Sequence, residues 1–105
     1  MKNGYEELVK VLVKKGADVN AEDDFRQTPL LILARFADDS FEPIADILLN
    51  NGAVIDAQEQ YGNTPLHLGI KNKHEAFVRY ILKKGADLSI KTWKKENMKV
   101  KLLCK

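Results

Sequence analysis

Cysteine is almost absent from these 105 residues: Cys104 stands alone, so no intramolecular disulfide can brace the fold. That usage agrees with a reducing compartment without establishing one. No apolar run approaches the ~20 residues that a membrane-spanning helix needs, and Met1–Glu7 lacks the apolar core of a signal peptide. The expectation is an intracellular, cytoplasmic chain, with export by a signal-less route left open. Glycine is never clustered, which excludes a phosphate-cradling loop. Histidine is scarce: His67 and His74 stand seven apart, with no Cys or paired carboxylate at ligand spacing. Both are read as structural, and no metal site is expected. Cys104 has no nucleophile signature around it. Asp23-Asp24 and Asp38-Asp39 fall in loops, where short acidic side chains turn the chain. No catalytic constellation and no cofactor is expected.

What is present is ordinary in amount and uneven in placement. A 45% apolar and 30% charged composition suits one small globular domain. Net charge is only +2, yet residues 1–60 hold six Lys/Arg against twelve Asp/Glu, and residues 61–105 hold eleven against three. The balances are −6 and +8, an acidic end and a basic end.

The chain repeats itself. Gly16-Ala17-Asp18-Val19-Asn20-Ala21 returns as Gly52-Ala53-Val54-Ile55-Asp56-Ala57 and as Gly85-Ala86-Asp87-Leu88-Ser89-Ile90, at spacings of 36 and 33. Thr28-Pro29-Leu30 returns as Thr64-Pro65-Leu66 after 36 residues. Each Gly-Ala follows an apolar block at helical spacing: Leu8, Val9, Leu12 and Val13; Ile44, Ala45, Leu48 and Leu49; Phe77, Val78, Ile81 and Leu82. Thr28 and Thr64 are placed to cap helices by accepting an orphan N–H. Pro29 and Pro65 follow at the first helical position, where the missing N–H costs nothing. Gly16, Gly52 and Gly85 supply the left-handed turn that stops a second helix. Each unit reads as cap, short inner helix, loop, longer outer helix, glycine stop and extended loop.

Gly62-Asn63-Thr64-Pro65-Leu66-His67-Leu68, continued by Phe77-Val78, Ile81-Leu82 and Gly85-Ala86-Asp87, resembles the ankyrin repeat family, and the resemblance covers roughly residues 4 to 92. It implies an all-α solenoid of about three stacked helix–turn–helix units joined by β-hairpin-like loops. The expected divisions are a half repeat (1–22), a full repeat with a three-residue insertion (23–57), a full repeat (58–90) and a degenerate capping repeat (91–105). The extra residues of the second unit align to Arg35–Ser40. Ser40 is the expected cap of the outer helix there, since it puts Pro43 at the third helical position, where no bond is lost. That unit carries Arg26 where the family has Gly, Leu31 for His and Leu33 for Ala. The larger Leu33 is expected to alter packing at its junction. Beyond Ile90 the pattern decays, and Met98, Val100, Leu102 and Leu103 suit a terminal helix or a strand equally. The incomplete first repeat predicts self-association there, or a chain that is part of a longer array.

Stacked repeats present a concave face of loop tips and inner helices. The family's partner-contact positions carry over to Asp24, Phe25, Gln27, Arg35 and Phe36 in the second unit. In the third they are Gln60, Tyr61, Asn63, Lys71 and Asn72, and Trp93 and Lys94 fall nearby in the fourth. Phe25 and Tyr61 are equivalent and Trp93 lies one residue off. These aromatics serve a protein interface or pack on their own neighbours, and the sequence leaves both open. The resemblance implies a non-catalytic module that binds a partner protein. Two other classes remain: a structural fragment of a longer ankyrin array, and a nucleic-acid or anionic-surface binder. The second rests on Lys91, Lys94, Lys95, Lys99, Lys101 and Lys105 around Trp93. The lack of Arg in that stretch favours a solvated end over nucleic acid.

Overall fold

The computed structural model describes residue 11 and residues 13–92. Most of the first apolar block, Trp93, Lys94 and the expected capping segment after residue 92 lie outside the described residues. Four helices lie wholly within the described residues: α1 (Pro29–Phe36), α2 (Phe41–Asn50), α3 (Pro65–Lys71) and α4 (Glu75–Lys83); Val11, Val13 and Lys14 are helical as well. None of the described residues is in a strand. Inner helix α1 packs on inner helix α3, each inner helix packs on the outer helix that follows it, and α2 meets α4. This is the expected all-α solenoid.

The punctuation works as the sequence predicts. Thr28 Oγ1 accepts from Leu31 N at 3.3 Å and Thr64 Oγ1 from His67 N at 3.2 Å. Pro29 and Pro65 open their helices. Gly52 and Gly85 stop α2 and α4 with φ of 93° and 102°. Ser40 does stand at the N-cap of α2, so Pro43 costs no helix bond, but its hydroxyl makes no capping bond. It donates instead to Asp38 Oδ1 at 2.7 Å, and Ser40 N joins the same oxygen at 2.9 Å. A carboxylate two residues back is the stronger acceptor, and the hydroxyl's bond to it holds the Asp38 carboxyl below its ordinary range. The three extra residues are shared out. Relative to the third unit, α1, the connection and α2 are each one residue longer.

The core runs continuously through both units. Leu30, Leu31, Ala34 and Ala45 of the second unit and Leu66, Val78 and Ile81 of the third are fully buried. Between the outer helices Phe41 meets Phe77 and Tyr80 edge to face, with both centroid distances 5.4 Å. The Tyr80 hydroxyl donates to Asp46 at 2.5 Å. Burial first, then that bond, push the phenol well above its ordinary range.

Leu33 is accommodated by an exchange of volume inside its unit. A Cβ on the equivalent Gly69 would sit 3.0 Å from Phe77 Cδ2 and 3.1 Å from Val78 Cγ2. Counting back from the glycine stops, the second unit has the smaller Ile44 and Ala45 at those places. The bulk moves from outer helix to inner helix, and volume-conserving swaps of this kind cost little.

Arg26 carries strain. It stands where the third unit has Gly62, and its φ of 63° lies in the left-handed region. An L side chain pays about 1–2 kcal/mol there, partly offset because glycine loses more entropy on folding. The side-chain contact that Arg26 makes among the described residues, an exposed 3.8 Å pair with Glu22, contributes little. Arg26→Gly is therefore expected to stabilise the fold by about 0.5–1 kcal/mol, roughly 2–8 °C in thermal midpoint. A calorimetric midpoint that stays put or falls would contradict the strain.

Candidate partner-binding face

Two hairpin tips build the face. In residues 23–27, Asp23 N donates to Gln27 O at 3.1 Å and Arg26 N to Asp23 O at 2.9 Å. Asp23 Oδ1 then accepts from Phe25 N at 2.8 Å and Gln27 N at 2.9 Å. Residues 59–63 repeat the pattern: Glu59 N to Asn63 O at 3.0 Å and Gly62 N to Glu59 O at 2.8 Å. Here Glu59 Oε1 accepts from Tyr61 N at 2.7 Å and Asn63 N at 3.0 Å. A backbone bond, Gln60 N to Phe25 O at 3.1 Å, ties one tip to the next. The Gln58 side chain donates to Gly62 O and on to Lys91 O.

The carboxylates are equivalent but do different work. Glu59, one methylene longer than Asp23, is 1% exposed. Its second oxygen lies 3.5 Å from Arg35 Nη2, and Arg35 Nε donates to Gln27 Oε1 at 3.2 Å. Arg35 thus reaches from the end of α1 across the junction to both tips. A buried carboxylate needs polar partners, and two amides on one oxygen and a guanidinium beside the other supply them.

Three residues of the expected face are wholly or partly covered. Arg35 and Gln27 are half-buried and spend their polar groups on the junction. Asn63 is 4% exposed and lies under its tip. Asn63 Oδ1 is buried without a hydrogen-bond partner among the described residues. The other predicted residues that are described are exposed: Asp24, Phe25, Phe36, Gln60, Tyr61, Lys71 and Asn72. Phe25 and Tyr61 are 53% and 58% exposed on adjoining tips, so they do not pack away on their neighbours. Asn72 also donates to Leu68 O at 2.9 Å and ends α3. Sequence reasoning passed over Glu59, although its spacing of 36 from Asp23 placed it at a tip.

Both histidines have structural partners. His67 Nδ1 accepts from Thr64 N at 3.1 Å, closing a capping box on α3. His74 Nε2 lies 3.0 Å from Arg35 O, an acceptor only, so that nitrogen carries the proton. At the other end of the units a second ladder runs: Asn20 bridges Gly52 O and Val54 N, and Asp56 accepts from Asp87 N. Among the described residues, no group of His, Cys, Asp and Glu could hold a metal ion, and no helix is long and apolar enough to cross a membrane.

Glu59→Gln keeps the shape of the junction and removes its charge. An amide N–H₂ then faces the Arg35 guanidinium or the tip amides. We expect a loss of about 1–2 kcal/mol in urea denaturation, reduced from a fully buried pair because Arg35 is a third exposed. An unchanged midpoint would contradict the structural role of this contact.

A family model described as ankyrin repeats in three copies matches residues 1–92. No curated relative matches the chain. Ankyrin repeats are generally protein-interaction modules and typically non-catalytic. With capped helix pairs, glycine stops and linked hairpin tips in register among the described residues, this chain belongs to the ankyrin repeat family.

Proposed function

We propose that the chain is a non-catalytic interaction module that binds a partner protein through its tips and the exposed ends of its inner helices. The observation that carries this reading is the pair of half-exposed aromatics, Phe25 and Tyr61, on tips whose backbones are bonded together. Tyrosine and phenylalanine supply large contact area with few rotors. A tip fixed before binding leaves little ordering entropy to lose. Asp24 and Gln60 beside them, with Phe36, Lys71 and Asn72 on the inner-helix ends, complete the proposed face. Acidic residues Glu22, Asp23 and Asp24 lie at one end of the ridge and Lys71 and Lys91 toward the other. This favours a partner whose charge runs the opposite way.

The test compares the chain with a Phe25→Ser, Tyr61→Ser variant. A protein retained from lysate by the unaltered chain is purified and titrated against both by calorimetry. Loss of affinity by at least about tenfold per aromatic is expected, at an unchanged thermal midpoint because both side chains are already half in water. Equal affinity for the two chains would overturn the reading. Retention of RNA or anionic vesicles instead, lost at moderate salt, would move the function to the basic end.

A further inference from the structure

The glycine stops follow two different chemistries. Gly16 comes after Lys14-Lys15 and Gly85 after Lys83-Lys84, but Gly52 comes after Asn50-Asn51. Cations suit the negative end of a helix, and α2 carries none in its last turn. Asn51 holds that turn instead. Its Nδ2 donates to Ile47 O at 2.7 Å, as Asn72 Nδ2 does to Leu68 O in α3. The two caps differ in the residue that follows. Asn72 precedes Lys73, and Asn51 precedes Gly52. Among the described residues, Asn51 is the asparagine with glycine after it.

That pairing is reactive. An asparagine amide carbon and the next backbone nitrogen close a five-membered ring when they meet. A Cβ on the following residue obstructs the approach, and glycine has none. Asn51 and Gly52 are both exposed, and nothing lies within 4 Å of where a Gly52 Cβ would stand, so water and base reach the pair. Two bonds restrain the reaction in the closed turn. Asn51 Nδ2 is directed back to Ile47 O, and Gly52 N donates to Leu49 O at 3.2 Å. Both belong to the end of a helix, which opens at less cost than its middle.

We propose that Asn51 is a site of self-modification by water, gated by opening of the last turn of α2. In the opened turn Gly52 N loses its proton to base and attacks Asn51 Cγ. The N–Cγ bond closes a succinimide, the Cγ–Nδ2 bond breaks, and Nδ2 leaves as ammonia with a proton from water. Water then opens the ring at one of its two carbonyls. The product is an aspartyl residue, or an isoaspartyl residue whose main chain is one methylene longer. One water enters and one ammonia leaves, with no oxidant or cofactor.

The product weakens the junction. A carboxylate at position 51 loses the donor to Ile47 O and sets an anion against the negative end of α2. The isoaspartyl form also displaces Gly52, whose carbonyl accepts from Asn20 Nδ2 at 2.9 Å, while Val54 N donates to Asn20 Oδ1 at 2.7 Å. Those bonds tie the second unit to the loop before it, at the end of the units away from the tips.

Peptide mapping after incubation in mildly alkaline buffer, folded and in urea, tests this. Modification should accumulate at Asn51 ahead of Asn20, Asn50, Asn63 and Asn72, about tenfold or more slowly in the folded chain than in urea. Asn51→Asp should lower the thermal midpoint by about 4–10 °C. Asn51→Lys, which matches the other two stops, should melt within about 2 °C of the parent. It should also keep its midpoint through the incubation that lowers the parent's. Four results would overturn the proposal. They are equal rates at Asn51 in the folded chain and in urea, no product at Asn51 in the folded chain, an Asn51→Asp midpoint equal to the parent's, and an Asn51→Lys midpoint that falls with the parent's on incubation.

Discussion

A helix of seven to ten residues, the range of all four here, is too short to persist alone in water. Each therefore depends on neighbours in its own unit and in the next. Covering apolar flanks is the constraint that organises the chain. The buried side chains of α1 and α3 meet across the unit boundary, and the aromatic trio Phe41, Phe77 and Tyr80 does the same between the outer helices. Polar contacts follow the same logic. Arg35 to Glu59, Tyr80 to Asp46 and Asn20 to the Gly52–Val54 backbone all cross from one unit to the next. Lys84 adds a 3.8 Å contact with Asp46 while lying over the Tyr80 ring.

The same constraint shapes the tips. A loop tip is ordinarily the most mobile part of a fold. Here each tip closes on a carboxylate, Asp23 or Glu59, that gathers two of its amides. Neighbouring tips then bond to each other through Gln60 and Phe25. These tip amides are satisfied internally, and the aromatic side chains face outward beside Asp24 and Gln60.

Much of this was legible in the sequence because it rests on backbone rules. Thr before Pro marks a helix start, and Gly after two lysines or two asparagines marks a stop. Their recurrence at 36 and 33 residues defines the unit. What could not be read depends on which side chains meet across a junction. Arg35 sits at a family contact position, yet a glutamate one methylene longer than its counterpart Asp23 draws it inward. Asn63 stands two residues after the exposed Tyr61 and is itself buried. Leu33 reads as an intrusion until Ile44 and Ala45 are set against Phe77 and Val78. Ser40 has the position of a cap, but Asp38 competes for its hydroxyl. In each case the deciding fact is a volume or an acceptor located elsewhere in the chain.

The central claim is that the tips are preformed, held as firmly as the helices behind them. Native-state hydrogen exchange measures this directly. The account predicts that the amides of Gln60, Tyr61 and Asn63 exchange only through global unfolding, with the same protection as Leu68 and Val78 amides in α3 and α4. Exchange of those tip amides at the rates of an open loop, while the helix amides stay protected, would contradict it.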